Sequence, residues 1–494
     1  WDEKQKTLFA ARDRLGIKPF HYFLQRKNKF AFSSEIKALL PFLPNRSINR
    51  SLIQAFLAWN LLDHEESETF LDGIQRLPPA HTMIWRSDGT LQIEKYWTLS
   101  CTDKLTTSPN QWESLAQEFR HRFQESVAIH LRSDVPVGTC LSGGLDSSAI
   151  VCAISRELEK KNQKAKKNLQ HTFSAYFQEP RLDERGYMQE VITTTGCNPH
   201  YVNPKGEWLH DDLDNWLWHQ EEPVGGTGVY VQYCVARLAR AEGVKVILDG
   251  QGADEQLAGY RKFIVVFLKQ LIREGHYLIG LKESLKFFSN LDILRTTRFA
   301  EGRRYLFDSF SSLDKLWPET TVPSPPSDMG LNASLGNRLH ADLMKFSLPV
   351  LLRYEDRNSM AFGIESRVPF LDHPLVEWLS SLPADMKIGD GWTKRILREA
   401  FIGILPEKVR ARKSKLGFSA PETEWLEGPL SVWFNDRLNN NKYLQEVVDI
   451  RGVQQLVEQR KRGNRSLGLQ NLLFRLAIYE TWAHLFLNPN RVSI

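Results

Sequence analysis

The sequence has 494 residues, of which 42% are hydrophobic and 25% charged, a composition typical of an ordinary folded protein. Its length exceeds the ~250–300 residues that one hydrophobic core supports, so two domains are expected. The net charge is only +5, because 64 Lys and Arg residues nearly balance 59 Asp and Glu residues. This balance argues against nucleic acid or an anionic membrane as a partner.

The cysteine content and the apolar segments restrict further which class of protein the sequence can encode. Five cysteines are few and odd in number, and none has the C-x-x-C spacing, so neither a disulfide framework nor a structural zinc site is expected. A reducing, cytoplasmic location fits this content best. The most apolar helical stretch, 263–281, contains Lys269 and Arg273, and it predicts a pair of amphipathic helices rather than a membrane span.

Residues 1–100 follow a pattern of short strands interrupted by short helices. Strand-like runs cover 7–10, 21–23, 29–32, 81–86 and 90–97, and helical patterns cover 34–40 and 50–62. Asp88 and Gly89 separate the last two runs, and Asp-Gly in such a place is a strong hairpin signal. We therefore predict an α+β domain over residues 1–105.

A polar stretch, 102–111, leads to a helix predicted for 112–131, after which apolar runs alternate with helical patterns. The short apolar runs cover 135–141, 171–177, 200–202 and 244–248. This alternation predicts an α/β domain over 112–494 with a doubly wound parallel sheet, whose ligands bind at the carboxyl ends of the strands. The chain is mainly helical from 263 onward, and the Pro-rich segment 322–327 is predicted to be a surface loop.

The segment 141–148, Leu-Ser-Gly-Gly-Leu-Asp-Ser-Ser, lies between a predicted strand and a helix predicted for 149–158. Gly143 and Gly144 allow a tight turn that points backbone N–H groups into one concavity, and the helix N-terminus adds partial positive charge there. Such a loop cradles phosphate. It is not the common P-loop, because no Gly-Lys-Ser/Thr follows.

Polar side chains in this loop extend the prediction. The hydroxyls of Ser142, Ser147 and Ser148 can donate further hydrogen bonds to phosphate. Asp146, a carboxylate among phosphates, is expected to be a catalytic residue that binds Mg²⁺. The alternative is a Gly-Gly turn with a serine cap and no ligand.

A second loop follows the apolar run 244–248 and reads Asp-Gly-Gln-Gly-Ala-Asp-Glu from residue 249. Gly250 and Gly252 allow the backbone to approach a nucleotide closely, and Asp254 can supply a second carboxylate to the metal of Asp146. A capped turn with solvated acids would explain this loop alone. Two such loops at neighbouring strand ends favour a ligand site.

These two loops resemble the glutamine-hydrolysing (class II) asparagine synthetases, whose second domain carries Ser-Gly-Gly-x-Asp-Ser and Gly-x-Gly-Ala-Asp-Glu motifs. The blocks 352–372 and 410–418 also match that family. Residues 8–22 and 32–39 resemble the closing part of its glutaminase domain, so the resemblance covers nearly the whole chain.

The resemblance implies a fold and a set of ligand contacts. It implies an ATP-pyrophosphatase (adenine nucleotide alpha hydrolase-like) sheet with C-terminal helices, preceded by a partial N-terminal-nucleophile glutaminase domain. Leu141 and Ala175 would line the nucleotide pocket, and Asp249 and Gly250 would contact adenosine or its phosphate. Residues 142–148 would hold the pyrophosphate.

Two further catalytic assignments come from the resemblance. Alignment on Gly-Phe favours Lys415 as the lysine that contacts pyrophosphate, with Lys413 as the alternative. Gln251 stands where many relatives have a glutamate, so it can orient a reactant but cannot accept a proton. The base would then be another group, such as Glu255 or the departing pyrophosphate, and the alternative is that Gln251 only satisfies the loop backbone.

The implied activity is ATP-dependent amidation of a carboxylate. Aspartate would form an acyl-adenylate with MgATP, and ammonia, or glutamine as its source, would supply the nitrogen. The resemblance is also compatible with a homodimer. One rival is the same chemistry on another acid, in a lactam, peptide or glycan. Substrate contacts are expected in the segment 221–228, and its glycines differ from the sequence of typical asparagine synthetases. A non-catalytic scaffold is the other rival, and Asp146, Asp254 and Lys415 argue against it.

The beginning of the sequence departs from the family. The family's nucleophile is an N-terminal cysteine, whereas this sequence begins at Trp1 and its first cysteine is Cys101. Cys101 is expected to be an ordinary thiol in the linker. The expectation is therefore that the sequence is a piece of a longer polypeptide and forms amide from ammonium rather than from glutamine.

Overall fold

The structure is a computed structural model that describes residues 1–25, 29–160, 170–288, 316–317, 326, 332–413 and 419–488. The strands are β1 (Thr7–Ala11), β2 (His21–Gln25), β3 (Lys29–Ser33), β4 (Ile74–Arg76), β5 (His81–Arg86), β6 (Leu91–Lys95), β7 (Val137–Cys140), β8 (His171–Ala175), β9 (Asn198–Val202), β10 (Val246–Leu248), β11 (Glu365–Arg367), β12 (Ile388–Gly389) and β13 (Trp392–Thr393).

The helices of the same residues lie mostly in the second half of the chain. They are α1 (Arg50–Trp59), α2 (Trp112–His130), α3 (Leu145–Lys160), α4 (Arg185–Thr195), α5 (Gly206–Gln220), α6 (Gly228–Ala241), α7 (Ala253–Gln256), α8 (Lys262–Arg273), α9 (Tyr277–Phe288), α10 (Leu335–Ala341), α11 (Leu348–Met360), α12 (His373–Ser381), α13 (Ala384–Lys387), α14 (Arg395–Ala400), α15 (Glu407–Arg410), α16 (Glu422–Glu427), α17 (Ser431–Asn439), α18 (Ile450–Lys461) and α19 (Leu467–Phe486).

The N-terminal region contains two small antiparallel sheets. Their strand orders are β1-β5-β6 and β3-β2-β4. The hairpin predicted at Asp88 and Gly89 is confirmed, since β5 and β6 pair there with Trp85 opposite Leu91. Strand β4 was not predicted, because three residues are too few to show an alternating pattern.

The second region is built on a five-stranded sheet in which all neighbouring strands run parallel, in the order β11-β10-β7-β8-β9. The chain winds outward from β7 to β9, then returns to place β10 on the other side of β7. The order therefore reverses between β7 and β10, and a crevice opens at their carboxyl ends. The predicted doubly wound α/β class is confirmed.

Helix α3 begins earlier than predicted. We expected it to start at residue 149, but it starts at Leu145, because the N–H of Ser148 already donates to the carbonyl of Gly144 at 3.1 Å. Asp146 and Ser147 therefore lie in its first turn. The predicted amphipathic pair is present as α8 and α9, whereas the predicted loop at 322–327 lies outside the described residues except for position 326.

Helix α19 is apolar around its whole circumference, a pattern typical of a fully buried helix. It packs between the N-terminal region and the C-terminal helices: Trp482 meets Phe70 edge-on at 6.2 Å, and Arg475 donates to the carbonyl of Leu57 at 2.8 Å. The two halves of the chain thus share one core. None of the helices within the described residues is long and apolar enough to cross a membrane.

Candidate active site

The loops that follow β7 and β10 meet at the crevice between these strands. A Cβ added to Gly250 would lie 3.1 Å from Cβ of Asp146, so the absence of a side chain lets the second loop touch the first. Gly143 has φ +71, and a Cβ there would lie 2.9 Å from Tyr187. Both glycines are required by the geometry, and the phosphate-type loop 141–148 lies at the sheet edge where it was predicted.

The serines of the first loop bond mainly to one another. The Ser142 and Ser147 hydroxyls are 3.1 Å apart, and the N–H of Ser142 also donates to Ser147 Oγ at 3.2 Å. The hydroxyl of Ser148 is buried and has no hydrogen-bond partner within the described part of the chain. These hydroxyls keep the loop compact, and each can rotate to donate to an anion.

Lys394, which sequence reasoning did not single out, joins the two loops. Its ammonium binds the carboxylate of Asp146 and lies 2.7 Å from Oδ1 of Asp254, and the residue is only 4% exposed. Burial acts to lower the pKa of Lys394, but the two carboxylates outweigh it and raise the pKa above its ordinary value. Lys394 is therefore a permanent cation between Asp146 and Asp254.

The backbone shows why Lys394 reaches this position. It lies directly after β13 and caps helix α14 with φ +55, a left-handed conformation that is strained for a lysine. Gly259 makes room on the other side, since a Cβ there would lie 1.8 Å from Asp254 Oδ1 and 2.3 Å from Lys394 Cε. The sequence around Lys394 has no feature that predicts this left-handed conformation, because the chain contains many other lysines.

The carboxylates of Asp146 and Asp254 fit a divalent cation. They already share one cation, the ammonium of Lys394, and they are hard oxygen donors of the kind that Mg²⁺ prefers. Among the described residues no group of three or more His, Cys, Asp or Glu side chains could hold a metal ion. Any Mg²⁺ would therefore take its remaining ligands from water and phosphate, as is usual at nucleotide sites.

The residues predicted to contact the nucleotide lie around this crevice. Leu141 follows β7 and is buried, with its N–H donating to the carbonyl of Phe173 at 3.0 Å. Ala175 ends the neighbouring strand β8 and is partly exposed. Asp249 follows β10, and its Oδ1 accepts from the N–H of Gly250 at 2.6 Å. Their roles in binding stay predictions.

Gln251 contacts Glu355, a residue of α11. Its Nε2 lies 3.4 Å from Glu355 Oε2, while Ser366 Oγ donates to Glu355 Oε1 at 2.5 Å. Burial and then the neighbouring carboxylate of Asp249 raise the pKa of Glu355 well above its ordinary value. Glu355 is 5% exposed. Gln251 therefore connects the loop that begins at residue 249 to a weakly acidic carboxyl group.

Glu255, suggested from the sequence as an alternative base, is engaged elsewhere. Its Oε1 accepts from the hydroxyls of Tyr260 and Ser347, both at 2.6 Å, and the residue is buried. Tyr260 follows α7, and Ser347 directly precedes α11. Gln251 instead contacts Glu355, because α11 brings residues 355 and 251 together from distant parts of the chain.

The basic run 410–418 is described only up to residue 413, so Lys415 lies outside the described residues. Lys413 places its ammonium 4.4 Å from the ring centre of Trp392. Arg412 instead braces the first loop: it donates to the carbonyl of Gly143 at 3.1 Å and binds Glu184. The described part of the run, 410–413, is therefore held against the phosphate-type loop by Arg412.

The segment 221–228, expected to contact substrate, begins with two buried carboxylates that form ion pairs. Glu221 lies 3.1 Å from a guanidinium nitrogen of Arg357, and Glu222 lies 3.1 Å from one of Arg76. Buried charges of this kind need such partners. The two glutamates link α11 to the N-terminal region and hold the segment in place.

A cavity of about 50 Å³ lies between the N-terminal region and α11. Its lining includes Arg12, His21, Asp63, Gln220, Glu221 and Arg357. Burial and then the charge of Arg357 hold the pKa of His21 well below its ordinary value, so His21 is neutral. The cavity has charged and polar groups beside apolar ones in its lining, and it is large enough to contain at least one water-sized molecule.

A doubly wound sheet with a glycine-rich loop and two carboxylates at its switch point, joined to small antiparallel sheets, has the architecture of an ATP-pyrophosphatase domain with a glutaminase-type domain. The sequence model described as "Asparagine synthase" matches residues 118–484, and the one described as "Glutamine amidotransferase domain" matches residues 1–97. The chain belongs to the asparagine synthase family. The domain limits 1–105 and 112–494 stay predictions.

Named relatives agree with this assignment. "Asparagine synthetase [glutamine-hydrolyzing] 3" of Bacillus subtilis (strain 168) is 31% identical over 484 residues, covering 93% of this chain and 72% of that protein. "Asparagine synthetase [glutamine-hydrolyzing] 1" of the same organism is 27% identical, covering 90% and 70%. "Amidase chry2" of Gibberella zeae is also 27% identical, covering 87% and 70%.

Proposed function

We propose that this protein amidates the β-carboxylate of aspartate through an acyl-adenylate, releasing pyrophosphate and AMP. The observation that carries the proposal is the convergence of Asp146, Asp254 and Lys394 at the switch point of the sheet. Family membership supports a ligase that uses ATP. Aspartate is proposed because the two relatives from Bacillus subtilis are named asparagine synthetases.

In the first step the carboxylate of the substrate attacks the α-phosphorus of ATP. The loop 141–148 and the N-terminus of α3 would bind the departing pyrophosphate through backbone N–H groups. Mg²⁺ held by Asp146 and Asp254 would neutralise phosphate charge. Lys394 adds a fixed positive charge at the same place, and because it is already positioned, the step requires little reorganisation.

In the second step ammonia displaces AMP, and the attacking nitrogen must lose a proton. Gln251 cannot accept it, but Glu355 lies next to Gln251 and has a raised pKa. Once ionised, a carboxylate with a raised pKa is a stronger base than an ordinary glutamate. We assign Glu355 as that base, with Gln251 orienting the reactant between them.

Exchange of radiolabelled pyrophosphate into ATP tests the first step. Exchange should require aspartate, and it should be lost in Asp254→Asn, while Asp211→Asn, at a position 79% exposed in its side chain, is the matched control. Exchange that depends on a different acid would show that this acid, rather than aspartate, is the substrate of the same reaction. If no acid in a panel of amino acids, peptides and β-amino acids supports exchange, the proposed ligase activity is wrong and the protein is a non-catalytic scaffold.

A rapid-quench measurement tests the second step. Preformed adenylate is mixed with ammonium across pH, and its consumption is followed. After division by the concentration of free ammonia, which itself increases with pH, the rate of consumption should still rise as pH increases through the pKa of Glu355. Glu355→Gln should remove this remaining rise while leaving pyrophosphate exchange intact. A Glu355→Gln protein with the parent pH profile would show that another group takes the proton.

A further inference from the structure

A row of buried side-chain amides runs from Glu355 to the cavity between the two regions. Gln232 on α6 donates to Glu355 Oε2. Asn358 Nδ2 donates to Gln232 Oε1 at 3.0 Å, and Gln220 Nε2 donates to Asn358 Oδ1 at 2.7 Å. None of the three amides is more than 7% exposed. We call these three residues the amide row.

The amide row has a direction. An ionised carboxylate only accepts hydrogen bonds, so Gln232 must present its NH₂ group to Glu355, and this choice fixes the orientation of the next two amides. Every NH₂ group therefore points toward Glu355. At the far end the carbonyl oxygen of Gln220 is buried without a hydrogen-bond partner among the described residues, and Gln220 lines the cavity.

We infer that Gln232, Asn358 and Gln220 are positioning residues for the ammonia step, which tune the basicity of Glu355 and connect it to whatever occupies the cavity. The inference rests on the proposed role of Glu355 as base. It adds that a hydrogen-bond donor in the cavity, such as ammonia or water, completes the row at Gln220 Oε1. The row then stabilises the carboxylate form of Glu355.

The physical basis is the alignment of dipoles in a dry environment. Hydrogen bonds in a chain polarise one another, and the effect is strongest where water is excluded. Two titratable groups face Glu355. The carboxylate of Asp249, which follows β10, acts in the opposite sense by raising the pKa of Glu355. The thiol of Cys140 at the end of β7 stays neutral, because burial raises its pKa well above its ordinary value. Helix α6 and strand β11 present the neutral Gln232 and Ser366 to Glu355. Burial and Asp249 raise the pKa of Glu355, and the row acts against them because it favours the carboxylate form.

The test compares Gln232→Met, Asn358→Leu and Gln220→Met in the rapid-quench assay across pH. A hydrogen bond to a charged group is strong enough that losing the Gln232 contact should raise the midpoint of the ammonia step by roughly one to two pH units. Asn358→Leu should raise it less, and Gln220→Met least. Pyrophosphate exchange should stay within about twofold of the parent, because the row does not touch the phosphate loop.

Gln270→Met is the matched control. Gln270 is equally buried and bonded, accepting from the N–H of Leu335 at 2.7 Å, but it lies outside the row. Its replacement should lower thermal stability without moving the pH midpoint. A structural role for the amide row would likewise lower stability alone, so thermal melting is measured for all four variants.

Three outcomes separate the inference from the proposed function. A graded upward shift from Gln220 to Gln232 supports the row. Unshifted midpoints in the row variants, with a pH dependence that Glu355→Gln removes, would overturn the row but keep Glu355 as base. A pH dependence that survives Glu355→Gln would overturn both, because the row would then have no base to act on.

Discussion

Replacing Lys394 by Met should destabilise the ligand-free protein and make it responsive to Mg²⁺. The ammonium lies 2.7 Å from Asp254, where two charges attract by about 6 kcal/mol at an effective dielectric constant of ~20. Part of this attraction offsets the cost of burying the charges. Removing one partner of a buried ion pair costs about 3–5 kcal/mol, because the remaining charges stay buried.

The measurement is urea unfolding followed by tryptophan fluorescence, with and without MgCl₂. The Lys394→Met midpoint should fall well below that of the parent without magnesium, and Mg²⁺ should recover a large part of the loss, because a divalent cation can take the place of the ammonium between Asp146 and Asp254. Pyrophosphate exchange should be reduced in both conditions, since the fixed charge beside the phosphates is missing.

Lys387→Met is the matched control, because Lys387 is also 4% exposed but has no carboxylate partner among the described residues. It should neither lose stability nor respond to Mg²⁺. If Lys394→Met unfolds at the parent midpoint, or if Mg²⁺ changes both variants equally, the reasoning about a shared cation between Asp146 and Asp254 is wrong.

Three further predictions follow from named contacts. Burial lowers the pKa of Lys387 from 10.5 to about 8, so its charge destabilises the fold below pH 8, and this penalty disappears as pH rises toward 10.5. Lys387→Met should therefore raise the free energy of unfolding, measured by urea titration, by about 3 kcal/mol at neutral pH and by less above pH 8. A gain in stability that does not change with pH would contradict this. Gly259→Ala should abolish pyrophosphate exchange, because its Cβ would lie 1.8 Å from Asp254 Oδ1, whereas Gly468→Ala, with nothing within 4 Å, should exchange like the parent. Gln251→Glu would place a second carboxylate beside Glu355, where the Gln251 side chain now lies 3.4 Å away. Like-charge repulsion should then raise the pH midpoint of adenylate consumption by ammonia. A midpoint that stays or falls would show that the two side chains do not interact in the reaction.

The parts of the site that the sequence predicted are those built from consecutive residues. The loop 141–148 and the loop from residue 249 each contain their glycines and carboxylates within a few positions, and each directly follows a strand. Their placement at neighbouring strand ends could be inferred because parallel strands align their carboxyl ends. The overall α/β class followed from the same alternation of strands and helices.

The residues that were missed come from far along the chain. Lys394 is 248 positions from Asp146, and no local motif marks it. Glu355 is 104 positions from Gln251, in a block that matched the family without marking this residue as part of the site. Strand β11 has three residues and joins the edge of the sheet beside β10, far from it along the chain. Such contacts depend on tertiary packing, which periodicity and spacing do not report.

The position of helix α19 has a consequence for how the protein is made in the cell. The helix covers Phe70 and binds the carbonyl of Leu57, yet it is among the last parts of the described chain to leave the ribosome. At ~5–20 residues per second, the N-terminal sheets wait on the order of tens of seconds for this cover. Their apolar side chains stay open to chaperones or aggregation during that interval, until α19 has been made and packs against them.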